Sequence, residues 1–115
     1  MIIEEFVAAL ESYVRTINEN VIFVLQKETE PCKFKAYKRF KYTLWYIDRL
    51  RNKRFPIHII QDTSRVTTPE EEERVISNIN HKFMADIFKF MEGEEFKLIL
   101  EGSYEGDESI PNVDN

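Results

Sequence analysis

The stretch from Thr68 to Gly93 is written as a helix with both ends marked. Thr68 suits the N-cap, Pro69 the first helical position, and Glu71, three residues after the cap, completes a capping box. Val75, Ile76, Ile79, Phe83, Ile87, Phe90 and Met91 then recur at three and four residues and form one apolar stripe. The pattern runs to about Glu92, and Gly93 ends it. A long helix with one apolar side has to bury it, so the rest of the chain must supply a matching surface.

Residues 2–19 carry a second helical stripe, Ile3, Phe6, Val7, Leu10, Val14 and Ile17, with Glu4 and Glu5 where the helix dipole favours anions. Between the helices lie strand signals. VIFVL (21–25) is a short β-branched run, and KETEPC then reads as a turn of hairpin size. The segment from Lys33 to Ile47 fits two periods. As a strand, Phe34, Ala36, Phe40, Tyr42, Leu44 and Tyr46 face a core, with Lys38 the exception. As a helix, Phe34, Tyr37, Phe40, Leu44 and Ile47 make a stripe. Aromatic and Thr content favours the strand. A loop, RLRNKR, separates it from a third strand, FPIHIIQ (55–61), with Pro56 at its start. FKLILEGSY (96–104) reads as a closing strand with Gly102 a bulge.

The expected architecture is a single α+β domain over residues 1–105. Its order is α-β-β-β-α-β, a mostly antiparallel sheet with two amphipathic helices on one face. Residues 106–115 form an acidic tail, mobile alone or docked on a partner through Ile110 and Val113. Hydrophobic residues make up 43% and aromatic residues 13% of the 115, enough for one core without a metal or disulfides. Cys32 is the single cysteine, which favours a reducing compartment. No signal peptide or membrane-length apolar run is evident, so the expected location is a cytoplasm, or a virion made in one.

Charge is divided unevenly along the chain. Residues 33–54 hold nine Lys/Arg against one acid, Asp48, whereas the remaining residues hold seven Lys/Arg against twenty Asp/Glu. Such separation points to a partner: an acidic protein surface, another copy of the chain, or nucleic acid. As a strand, Lys33, Lys35, Tyr37, Arg39, Lys41 and Trp45 project from one face, with steps of about 6.8 Å between alternate residues. The basic residues then meet phosphates or carboxylates, and Tyr37 and Trp45 are placed to stack bases. Arg49, Arg51, Lys53 and Arg54 extend the basic segment into the loop. The plainer explanation is a solvated face whose lysines keep an edge from aggregating. The acidic run Glu70–Glu73 suits a helix N-terminus, and it also offers a surface to the basic segment of a neighbour.

No catalytic or metal signature stands out. Cys32, His58 and His81 are far apart, and three scattered Gly cannot cradle a phosphate. The element order is similar to the core of PD-(D/E)xK nucleases, with Asp48 as the first acid and Glu5 as the helix acid. The acid-x-Lys triplet is missing from HIIQDTSR, however, and occurs only as Glu95-Phe96-Lys97, on the closing strand.

The layout IIEEFVAALESYV, VIFVL, KFKAYKRFKYTLWYI, PIHIIQ, PEEEERVISNINHKFMADIFKFM and FKLILEGSY resembles small phage tail-terminator and head–tail joining proteins. That resemblance covers nearly the whole chain and implies a ring-forming, non-enzymatic assembly protein without cofactors. The expectation is docking of neighbours through segment 33–54 and acidic faces; the alternative is a small nucleic-acid-binding module using the same residues.

Overall fold

The computed structural model describes residues 2–34 and 36–102. Helix α1 (Ile3–Arg15) is followed by strands β1 (Val21–Pro31), β2 (Tyr37–Asp48) and β3 (Lys53–Arg65), then helices α2 (Pro69–Met91) and α3 (Glu94–Leu100). The strands form one antiparallel meander, β1-β2-β3, with β2 in the middle. The α+β class, the two amphipathic helices and the antiparallel sheet agree with the sequence reading. The closing element does not.

Both long helices lie on the same side of the sheet. Ile3, Phe6, Val7, Leu10 and Val14 of α1 are buried, as are Ile79, Phe83 and Ile87 of α2. They meet Phe40, Tyr42, Leu44 and Tyr46, the even positions of β2, together with Val21 and Phe23 of β1. Period-2 alternation on β2 therefore settles the ambiguity in favour of strand for residues 37–47, whereas Phe34 and Ala36, expected on the core face, fall in the preceding turn. Lys38 shares this parity, and its ammonium reaches Glu72 of α2. Aromatic edges fill the middle of the core: Phe23 against Tyr46 at 5.6 Å, and Tyr42 against Phe83 at 6.0 Å.

Several boundaries differ from the sequence reading. Helix α1 stops at Arg15, leaving Ile17 52% exposed rather than in the stripe. Strand β1 runs on through KETEP, because Glu28 lies opposite Lys41 and Glu30 opposite Arg39. Opposite charges across a ladder keep a polar ribbon paired. The β1–β2 turn thus takes in residues 32–34 and 36, where Phe34 is 76% exposed and Ala36 adopts φ 71°. Strand β3 begins at Lys53 and continues to Arg65. Pro56 sits inside it, where the register slips between Leu44 and Trp45 and leaves Ile57 without an opposite number.

The closing strand is instead helix α3. Phe96 and Ile99 are buried while Leu98 is 44% exposed, which is helical spacing. Gly93 serves as N-cap, with Glu94 and Glu95 in the first turn. The Phe90 and Phe96 rings meet edge-on at 5.8 Å, and the Tyr46 hydroxyl donates to the Ile99 carbonyl at 3.4 Å. Burial, with Asp48 close by, pushes the Tyr46 phenol up to about 12. Gly102 is no bulge: its φ of 78° follows the helix end, and its Cα lies against the Arg51 guanidinium. The tail from Glu105 onward, with Ile110 and Val113, lies outside the described residues.

The start of α2 follows the capping pattern. The Thr68 hydroxyl accepts from the Glu71 amide at 3.1 Å, and the Glu71 carboxylate accepts from the Thr67 hydroxyl. Thr68→Ala is expected to cost about 1 kcal/mol in chemical denaturation. No loss of stability would mean that the cap does not hold this helix.

Candidate functional site

The tip of the β2–β3 hairpin is built around Asp48, which is 3% exposed. Its Oδ1 accepts from the backbone amides of Leu50 and Arg51, both at 3.0 Å. Its Oδ2 accepts from the Arg51 guanidinium at 2.7 Å and from the Asn18 side chain at 3.1 Å. Burial alone raises the carboxyl's pKa. The Arg51 amide, the Arg51 guanidinium and Asn18 outweigh that effect and hold it below the ordinary value. Asn52 completes the turn with φ 52°, a conformation Asn tolerates. The Arg49 amide donates to the Asn20 carbonyl at 3.1 Å, tying the tip to the α1–β1 loop. The result is a hydrogen-bonded turn with Arg49, Leu50 (72% exposed) and Arg51 at its surface, Arg51 being paired to Asp48, while Lys53 and Arg54 follow half-buried at the start of β3.

The strand half of the basic segment is arranged differently. Odd positions of β2, which include Arg39, Lys41, Thr43 and Trp45, lie on the sheet face that carries no helix. Alternation puts Tyr37 on the same face. There the acids of β1 answer the cations. Arg39 pairs with Glu30 at 2.9 Å, and Lys41 lies opposite Glu28 in the ladder. Charge separated along the sequence is interleaved across the sheet. The Arg39 pair is solvent-exposed, so it contributes about 0–1 kcal/mol to stability, but with Glu28 beside Lys41 it offsets the positive charge of the face.

The other end of this face is apolar. Val24 (40% exposed) and Ile59 (47% exposed) flank the half-buried Trp45, whose indole N–H donates to Gln26 Oε1 at 2.9 Å. Thr43, between Gln26 and Ile59 in the ladder, is only 3% exposed, so its neighbours close over it. A shallow hollow beside Trp45 is lined by Val24, Gln26 and Arg54. The Arg54 Nε is buried there without a hydrogen-bond partner among the described residues.

The basic residues singled out from sequence therefore do not form one stripe. Arg39, Lys41, Tyr37 and Trp45 share the open face, Arg54 lines the hollow beside Trp45, and Arg49, Arg51 and Lys53 lie at or next to the tip. Lys33 lies in the β1–β2 turn at the opposite end of the sheet, and Lys35 falls outside the described residues. Sequence reasoning missed Glu28 and Glu30 as partners of the basic strand. Their alternation, two residues apart in a segment taken for a turn, was the signal. Glu72 of the acidic run is also engaged within the chain, by Lys38.

The remaining polar groups have local explanations. Asp48, the acid that the nuclease comparison needs, has its carboxylate committed to the four donors named above. Glu95-Phe96-Lys97 lies on α3, where Lys97 pairs with Glu94 at 3.3 Å. His58 Nε2 is 3.1 Å from Asp86, and His81 Nδ1 is 2.9 Å from the Ser77 carbonyl. Among the described residues no cluster of His, Cys, Asp and Glu could hold a metal ion. No helix among them is long and apolar enough to cross a membrane. Comparison of the chain with family models, curated proteins and solved structures finds no match.

Proposed function

We propose that this is a non-enzymatic assembly protein that docks protein neighbours through the basic tip of the β2–β3 hairpin. The observation that carries the reading is the contrast within segment 33–54. Its strand half is interleaved with acids of the same chain, whereas Arg49, Leu50 and Arg51 stand exposed on the turn that Asp48 organises, with Lys53 and Arg54 half-buried at the start of β3 beside it. A preorganised loop with an exposed Leu at its centre and cations around it suits an acidic protein surface with an apolar spot. The N-terminus of α2, with Glu70 and Glu73, lies at the far end of the sheet from this tip. Copies of the chain joined tip to acidic end form a head-to-tail contact, the type that closes into rings. The sequence-level resemblance to tail-terminator proteins agrees with that mode of assembly. The proposal rests on the surface, since the closing strand of that layout is a helix here.

Size-exclusion chromatography with light scattering tests the reading. In about 50 mM salt the particle is expected to be heavier than one chain, and to lose mass at about 500 mM, where exposed charges are screened within a few ångströms. Arg49→Glu combined with Lys53→Glu is expected to abolish the salt-sensitive part while the circular dichroism melt is retained. A particle whose mass ignores both salt and the double substitution overturns it.

The second reading, a single-stranded nucleic-acid module, is favoured by the shared face of Tyr37, Arg39, Lys41 and Trp45. It is opposed by Glu28 and Glu30 on the same face. Trp45 is the chain's single tryptophan, so quenching of its fluorescence by an oligothymidylate in low salt reads this out directly.

A further inference from the structure

We infer that β3 is a pairing edge, and that its occupant is β3 of a second copy, joined antiparallel about Ile60. A three-stranded sheet has two edges, and here they are treated differently. The β1 edge is guarded. The Phe23 amide, which points away from β2, donates to Glu11 of α1 at 2.7 Å, and Glu4 of the same helix holds Lys27 at 2.7 Å. Pro31, lacking an N–H, ends the strand. Among the described residues the β3 edge has no strand beside it; Pro56 and the register slip guard its start, but the stretch from Ile57 to Thr63, IHIIQDT, holds neither Gly nor Pro and a single acid. An unguarded β-branched edge is a template for a further strand.

The side chains of that stretch select the partner. On the helix side, His58, Ile60 and Asp62 alternate. Antiparallel pairing centred on Ile60 sets Ile60 against its own copy and sets His58 opposite the other copy's Asp62, twice by symmetry. On the open side, Ile59 then meets Gln61. Registers that put helix-side chains opposite open-side chains are excluded; His58 keeps Asp86 and Asp62 keeps the Ser64 hydroxyl within the chain, so among the face-matched registers the dyad is placed by Ile60 and the cleft beside it. Beside Ile60, between β3 and α2, the structure also leaves a cleft of about 280 Å³ lined by Asp62, Ser64, Val75, Ile79 and Lys82. Its apolar floor and polar rim suit one aliphatic side chain entering from the edge, which the second copy's Ile60 supplies. The contact is independent of the hairpin tip: backbone hydrogen bonds and apolar burial make it resistant to salt, whereas tip contacts are not.

The test uses the full chain with Cys32→Ser, so that introduced cysteines are the only thiols. Facing Cβ atoms across such a dyad lie roughly 4.5–5.5 Å apart, within reach of a short bismaleimide. At about 500 mM salt the expected particle is two chains. Ile60→Cys is expected to cross-link to a covalent dimer, and Thr29→Cys on β1 is not. Mixing Ile59→Cys with Gln61→Cys, both exposed positions, gives the same answer if Ile60→Cys disturbs the fold. Asp62→Lys, which sets a long cationic side chain on the rim of the cleft and opposite His58 of the second copy, is expected to weaken the dimer about tenfold or more. A single-chain mass with no cross-link from the mixed pair overturns the inference. So does a dimer that cross-links through Thr29→Cys. Either result leaves the hairpin-tip reading standing on its own salt-dependence.

Discussion

Phe83→Ala is expected to lower the free energy of unfolding by about 3–5 kcal/mol, the range for deleting a large buried aromatic side chain. Phe83 is fully buried, and its ring meets Tyr42 of β2 at 6.0 Å and His58 of β3 at 5.1 Å. It is thus the point where α2 grips two strands at once, and its removal opens a cavity that neither strand can fill without breaking the ladder. A domain of this size has about 5–15 kcal/mol of stability in total, so the loss is a large fraction of the whole. Phe88, on the same helix but 59% exposed, meets the Phe6 ring at 5.1 Å. Phe88→Ala is expected to cost about 1 kcal/mol or less. Urea denaturation of the pair checks the placement of α2, and equal losses would mean that the helix is rotated from the position described.

Asp48→Asn comes next in size, at about 2–3 kcal/mol. The substitution keeps the shape but turns an amide N–H₂ toward at least one of the four donors that the carboxylate satisfies, and it removes the charge that strengthens each bond. The ion pair itself adds little, because the Arg51 guanidinium is 40% exposed; the part-buried backbone bonds from Leu50 and Arg51 dominate. The pH dependence follows from the direction of the shift. The folded carboxyl titrates below its unfolded value, so its stabilisation is complete above the ordinary Asp range, near ~4. It is lost as pH falls through the folded value. The acid limb of the wild-type stability curve should therefore be shallower in Asp48→Asn. An unchanged limb would show that Asp48 is not the group held down by folding.

How much of this was legible beforehand differs from element to element. The start of α2 was readable because Thr68, Pro69 and Glu71 act locally, within one turn, where no tertiary partner is needed. The even positions of β2 were readable because burial on one face imposes a period of two. The closing segment was not. In FKLIL, residues 96, 98 and 100 alternate as a strand would, while Phe96, Ile99 and Leu100 keep helical spacing, and five residues cannot separate the periods. Tertiary context chose: Tyr46 and Phe90 offered a place for Phe96 and Ile99, and that place was on the helix side of the sheet.

The candidate site shows the same division. Composition gave the cations of segment 33–54 correctly, but a one-dimensional charge count cannot see which acids fold back beside them. Glu28 and Glu30 neutralise the strand half only because β1 continues past Leu25, and that continuation depends on the cross-strand pairs themselves. The rigid tip was hidden for a similar reason. Asp48 was the lone acid in a basic segment, which invited a catalytic role, whereas its surroundings make it the anchor of a turn.

The most direct measurement sets the two halves of the basic segment against each other. Light scattering in about 50 mM salt would compare Arg39→Gln with Lys41→Gln, taken together, against Arg49→Gln with Lys53→Gln. The account predicts that the strand pair leaves the salt-sensitive assembly intact and that the tip pair removes it. Loss of assembly with the strand pair, and its survival with the tip pair, would contradict the division of labour proposed for this protein.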